Sequence, residues 1–213
     1  MTEQIALPGF GPEPASRASK KKLKPTDRLF FAVLPDAEAI AAIHRCKEQL
    51  QLQSGSSIID GRLHVSLLWL GDFAGMQEFP LEAVSQAAAM ISLAAFDVCF
   101  DRALTFGKQT EIPKENPTVL VESAASQSLI TLRRLLIAPM QKLKLAEKAP
   151  SSFKAHITLL YSRLHLKEID AVPVTWKVKE FVLVHSKIGP GRPYDIVGRW
   201  PLVDPQNVDA IDI

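Results

Sequence analysis

The chain lacks most of the features by which composition alone gives away a function. It has only two cysteines, Cys46 and Cys99, which are too far apart for a metal-ligand pair and too few for a disulfide framework; a reducing, cytoplasmic setting is therefore expected. Net charge is also scarce. Twenty-five Lys and Arg oppose 23 Asp and Glu, leaving +2, which excludes a protein that wraps nucleic acid through bulk charge and makes any basic site local. No apolar run approaches the roughly 20 residues that a bilayer span needs, residues 29–34 being strand-sized, so no membrane association is expected. The phosphate loop with Gly-Lys-Ser/Thr, the G-x-S-x-G elbow and the G-x-G-x-x-G fingerprint are all missing. No His, Cys, Asp and Glu stand together at ligand spacing, and neither a metal nor a cofactor is expected.

What is present begins after a Pro- and Gly-punctuated, lysine-rich segment, residues 1–25, which reads as a flexible basic tail. One domain is expected over residues 26–204, with a short C-terminal tail over 205–213 and enough apolar residues, 47%, to bury a core. Within that domain, residues 28–34 read as a buried strand stopped by Pro35, with Asp36 as the N-cap of a helix over 37–52. Strands are predicted over 63–70, 96–106, 118–122, 153–161, 174–188 and 194–202. Helices are predicted over 80–93 and 126–145, the latter bent or split at Pro139.

One five-residue word is written twice: His64-Val65-Ser66-Leu67-Leu68 and His156-Ile157-Thr158-Leu159-Leu160. On a strand, alternate side chains share a face, so each copy presents an imidazole and a hydroxyl together, and reading two places back adds Arg62 to the first set and Lys154 to the second. Both copies follow a strand and a helix. The chain thus reads as a duplicated unit, in which a pseudo-twofold axis would bring the His strands to opposite walls of one cleft. Two imidazoles that titrate near neutrality, each with a hydroxyl and a cation, are suited to acid-base work on a phosphate. His44, His165 and His185 lack the pattern and read as structural or solvent-facing.

These residues resemble the 2H phosphoesterase superfamily, and within it the RNA 2′,3′-cyclic phosphodiesterases, also called 2′-5′ RNA ligase-like proteins. The likeness rests on Arg28-Leu29-Phe30-Phe31-Ala32-Val33-Leu34-Pro35, on the two His words with Leu70-Gly71 after the first, and on Ser186, Gly191, Tyr194 and Trp200-Pro201-Leu202. It implies an α+β, bilobal, pseudo-twofold fold with two antiparallel sheets flanked by helices around a central cleft. It also implies metal-free opening of a 2′,3′-cyclic phosphate to a 2′-phosphomonoester, with a side ability to join RNA through 2′-5′ links. His64 would then protonate the leaving 3′-oxygen and His156 would activate water, with Ser66, Thr158, Arg62 and Lys154 binding the phosphate. Many members carry Arg five places after the second His. Tyr161 stands there and, by simple alternation, would face away from His156; Arg192 in the Gly189–Pro193 turn is the candidate replacement cation. The expected partners are RNA ends or nucleoside 2′,3′-cyclic phosphates, and a monomer is expected. A small cyclic substrate such as ADP-ribose 1″,2″-cyclic phosphate, or a non-catalytic RNA-binding role, are the alternatives.

Overall fold

The computed structural model describes residues 24–52, 54–107, 115–146, 149–189 and 191–203. Nearly all of the expected basic tail and the whole of the C-terminal tail lie outside them. Among the described residues, nine strands and three α-helices follow in the order β1 (Asp27–Val33), α1 (Ala37–Gln49), β2 (Ser56–Ser57), β3 (Val65–Phe73), α2 (Leu81–Ala89), β4 (Phe96–Thr105), β5 (Asn116–Val121), α3 (Gln127–Lys142), β6 (His156–Ser162), β7 (Ile169–Val178), β8 (Glu180–Lys187) and β9 (Asp195–Pro201). The class is α+β with an antiparallel sheet, as the sequence suggests. Asp36 caps α1, its carboxylate accepting from the Ala39 N–H at 2.8 Å. Ser126 caps α3 in the same way through Leu129. Pro139 does not split α3. It lies in the last turn, where little of the helix remains for its missing N–H to interrupt. The span read as one strand over 174–188 is two, β7 and β8, which lie toward opposite ends of the sheet; the chain crosses between them at Lys179.

The strands form one continuous sheet, β7-β4-β5-β6-β3-β1-β8-β9, with β2 added to β6. Read outward from the middle, the order is symmetric: β6-β5 on one side and β3-β1 on the other, each pair joined through a helix. The expectation of two separate sheets is corrected here. The two His strands are themselves neighbours, paired antiparallel at Val65 and Ile157, so each covers an edge that the other half would leave exposed. The helices strengthen this joint by crossing it, α1 packing on β7 and α3 on β3. A single apolar core results, with Phe31, Ile43, Leu132, Leu136, Met140, Ile157, Leu159 and Phe181 enclosed on the helical side of the sheet. Among the described residues, the opposite side carries a small cluster around Phe30, Ala32, Val182 and Val184.

Candidate active site

The seam between the halves fixes how the two words meet. With Val65 opposite Ile157, antiparallel register puts His64 across from Thr158 and Ser66 across from His156. Val65 and Ile157 are fully enclosed in the helical core, while His64, Ser66, His156 and Thr158 are all half-buried. All four therefore emerge on the open face, with the imidazoles at diagonal corners about 7 Å apart in Cα spacing for a regular sheet. The two imidazoles thus emerge on one face, from strands that meet at this pair.

Both rings are held by the same device. Nδ1 of His64 is 2.8 Å from the Arg62 carbonyl oxygen, and Nδ1 of His156 is 2.9 Å from that of Lys154. A carbonyl only accepts, so each Nδ1 carries the proton and each Nε2 is left to act on whatever lies above the sheet. Around this common core the environments diverge. His64 packs against Phe30 (ring centroids 5.1 Å apart) and edge-on to Tyr194 (5.2 Å), and its Nε2 is 2.8 Å from the Ser66 hydroxyl, which donates to it while the ring is neutral. Burial pushes the His64 imidazole down to about 4, and the nearby His156 and Arg62 add to that; the Arg62 carbonyl opposes it. His156 has a single aromatic neighbour, Phe106 at 5.0 Å, and among the described residues its Nε2 has no hydrogen-bond partner.

The predicted cations reach the site by routes other than strand alternation. Arg62 ends a short 3-10 turn before β3, and its guanidinium lies over the Tyr194 ring, 4.7 Å from the centroid, beside His64. Lys154 lies just before β6, its ammonium 3.8 Å from Glu168. Arg192 is exposed in the β8–β9 connection, whose next residues carry Tyr194 to His64; among the described residues no contact brings its own guanidinium to the imidazoles.

Two aromatic residues on this face escape a plain alternation count. In β3, Ser66 pairs with Ala32 and Leu68 with Phe31, so Leu67 is an extra, bulged residue. In β6, Thr158 pairs with Val119 and Leu160 with Thr118, so Leu159 is its counterpart. A bulge shifts the alternation by one. Both adjacent leucines of each word are buried, and the residue five places after each His, Trp69 (54% exposed) and Tyr161 (42% exposed), emerges on the open face. Tyr161 thus lies on the same side as His156, which corrects the expectation that it faces away. Trp69 is steadied by Asp72, which accepts from its indole at 3.3 Å and forms a bidentate pair with Arg28. The sequence signal was available: an aromatic at the same spacing in both words, after two consecutive leucines that break strict alternation.

No protein-family model and no curated protein matches the chain. Solved structures do. E. coli LigT in its apo form is 25% identical, with a TM-score of 0.66, covering 85% of this chain and 100% of LigT. E. coli LigT complexed with 3′-AMP is likewise 25% identical over the same spans, with a TM-score of 0.65. TT0787 of Thermus thermophilus is 24% identical, with a TM-score of 0.66 over 84% of this chain and 99% of that one. Taken with the paired His words at the seam of an antiparallel α+β sheet, this likeness bears out the resemblance to the 2H phosphoesterase superfamily.

Proposed function

We propose that the protein opens 2′,3′-cyclic phosphates at RNA ends to 2′-phosphomonoesters, using His64 and His156 as an acid-base pair and no metal. The observation that carries this reading is the pair of imidazoles on one face, each with Nδ1 pinned by a backbone carbonyl and Nε2 left to act, that of His64 against the Ser66 hydroxyl. Water attacks phosphorus as its proton passes to Nε2 of His156. The bond from phosphorus to the 3′-oxygen breaks as that oxygen takes the proton from Nε2 of His64. The product keeps the phosphate on the 2′-oxygen and carries a free 3′-hydroxyl. Ser66 and Thr158 donate to the non-bridging oxygens as charge builds on them, and Arg62, held over the Tyr194 ring, adds positive charge for the phosphate. Structures of E. coli LigT with 3′-AMP, ATP and NADP+ support a nucleotide as the ligand. The catalytic unit in this reading is the single domain over residues 26–204.

The test is hydrolysis of nucleoside 2′,3′-cyclic phosphates and of short RNA ending in one, in excess chelator. His64→Ala and His156→Ala are each expected to lower kcat by about a hundred to ten thousand fold, the usual value of one positioned proton transfer. A parent protein that opens none of these substrates, or activity that survives both replacements, would refute the reading; dependence on an added metal would refute the metal-free part.

A further inference from the structure

The surroundings of His64 depend on a segment distant in the chain, and the contact that brings that segment in is made at a glycine. The 3-10 turn Asp60–Arg62 leads into the first His word, and the β8–β9 connection closes against it. Two contacts join them. The Tyr194 N–H donates to the Gly61 carbonyl oxygen at 3.2 Å. Pro193 packs so closely that a Cβ at position 61 would lie 3.1 Å from the Pro193 Cβ and 3.6 Å from its Cα and Cγ. The Gly61 backbone lies outside the left-handed region, so the close approach, not conformational freedom, calls for glycine. The turn is also tied to α1, the Asp60 carboxylate lying 2.8 Å from Nε2 of His44. What the joint delivers converges on one imidazole. Tyr194 stands edge-on to His64 at 5.2 Å, the Arg62 guanidinium lies 4.7 Å from the Tyr194 ring centroid, and the Arg62 carbonyl holds Nδ1 of His64 at 2.8 Å.

We infer that Gly61 is a positioning residue: its missing side chain lets the β8–β9 connection seat on the turn, and this seating sets Tyr194 and Arg62 against His64. The inference builds on the acid role proposed above for His64, but its first test needs no turnover. Among the described residues, the groups facing His64 are Arg62 from the turn, Tyr194 from the connection and His156 from β6, while β1 presents the uncharged Phe30 and β3 the Ser66 hydroxyl. A side chain at position 61 would push off Tyr194, which admits water to the ring, and would carry Arg62 away from it; both changes ease protonation of His64. Gly61 is exposed and outside the core, so Gly61→Val and the milder Gly61→Ala should both fold. In NMR titration the His64 midpoint is expected to rise by about one pH unit or more in Gly61→Val and by less in Gly61→Ala. Adding Pro193→Gly, which removes the atoms that the new side chain meets, should recover at least about half of the rise. Gly191→Ala is the control, since among the described residues a Cβ there meets nothing within 4 Å, and it should leave the midpoint in place. The second arm follows kcat on uridine 2′,3′-cyclic phosphate against pH. The alkaline limb, where the acid loses its proton, should move up by a similar amount in Gly61→Val. A midpoint unmoved by Gly61→Val, a rise that persists in full with Pro193→Gly, or an equal rise in Gly191→Ala overturns the positioning role and leaves the cyclic phosphodiesterase standing. The expected midpoints in a protein that opens no cyclic phosphate support the positioning role and sink the proposed activity instead.

Discussion

In the proposed reaction His64 is the acid, and its environment makes a quantitative prediction. In the free protein, burial holds its imidazole down at about 4, so it is neutral at pH 7 and cannot act as an acid. A phosphodiester carries one negative charge. Placed about 4 Å from Nε2 in surroundings with an effective dielectric near 20, that charge stabilises the imidazolium by about 4 kcal/mol, or about three pH units of titration midpoint. Substrate therefore charges its own acid. The same event re-aims Ser66: once Nε2 carries a proton it donates to the Ser66 oxygen, and the hydroxyl hydrogen is released toward the phosphate. By linkage, anion affinity should rise about tenfold per pH unit as the pH falls across the window between the free and bound midpoints, and about a thousandfold over all of it. Sulfate is a suitable probe because it does not itself titrate in this range. The imidazole carbon protons are followed by NMR against pH, with and without saturating sulfate, and the His64 signal is assigned by its absence in His64→Gln. A free-protein midpoint at the ordinary histidine value, or one that sulfate leaves in place, would refute the reasoning.

Three further outcomes are expected. Asp27 is fully enclosed; burial alone would raise its carboxyl, but hydrogen bonds from Lys187, Thr26 and His185 outweigh that and hold it down at about 2. Since the folded value lies below the ordinary carboxyl value of 3.8, this contribution, about 2 kcal/mol, is complete above pH 4 and lost as pH falls toward 2. His64, also depressed, loses its part in a separate window, between the ordinary imidazole value of 6.5 and about 4, so urea unfolding of Asp27→Asn and His64→Gln against pH should resolve two distinct steps. Trp69 is 54% exposed whereas Trp176 and Trp200 are 5% and 9%, so nucleotide binding should quench the solvent-exposed part of the emission, and Trp69→Phe should abolish that quenching without shifting the buried signal. Phe181 is fully enclosed and stacks on Trp200 at 5.4 Å, so Phe181→Ala should cost about 3–5 kcal/mol in chemical unfolding.

Much of this was legible in the residues, because the signals concerned are local. The Asp36 and Ser126 caps, the strand that opens the domain and the two His words all depend on neighbours a few positions away. Which strands lie side by side does not. Nothing near Val65 says that Ile157 is its partner, so the sequence suggested two sheets where backbone pairing across the seam makes one. The bulges at Leu67 and Leu159 defeated alternation for a related reason: they appear only as two adjacent apolar residues, a pattern equally compatible with a buried strand end.

The near-symmetry of the seam raises a chemical difficulty that the surrounding residues resolve. Two copies of one word related by an approximate twofold would give two equivalent imidazoles, with nothing to fix which acts as acid and which as base. The backbone keeps the copies alike, as the matching Nδ1 contacts and matching bulges show. The difference enters from outside the words. Phe30 and Tyr194 close around His64, and Tyr194 also brings Arg62 beside it, whereas among the described residues His156 meets one ring, Phe106, and its Nε2 has no hydrogen-bond partner. The approach to β9 that supplies Tyr194 comes from one half alone. An imidazole that is dry and cation-flanked takes a proton only when an anion arrives, while its open neighbour is free to accept one from water. Replacing Tyr194 by Ala should therefore raise the His64 midpoint toward the ordinary histidine value. A His64 midpoint unmoved by that change would show that the asymmetry has another source.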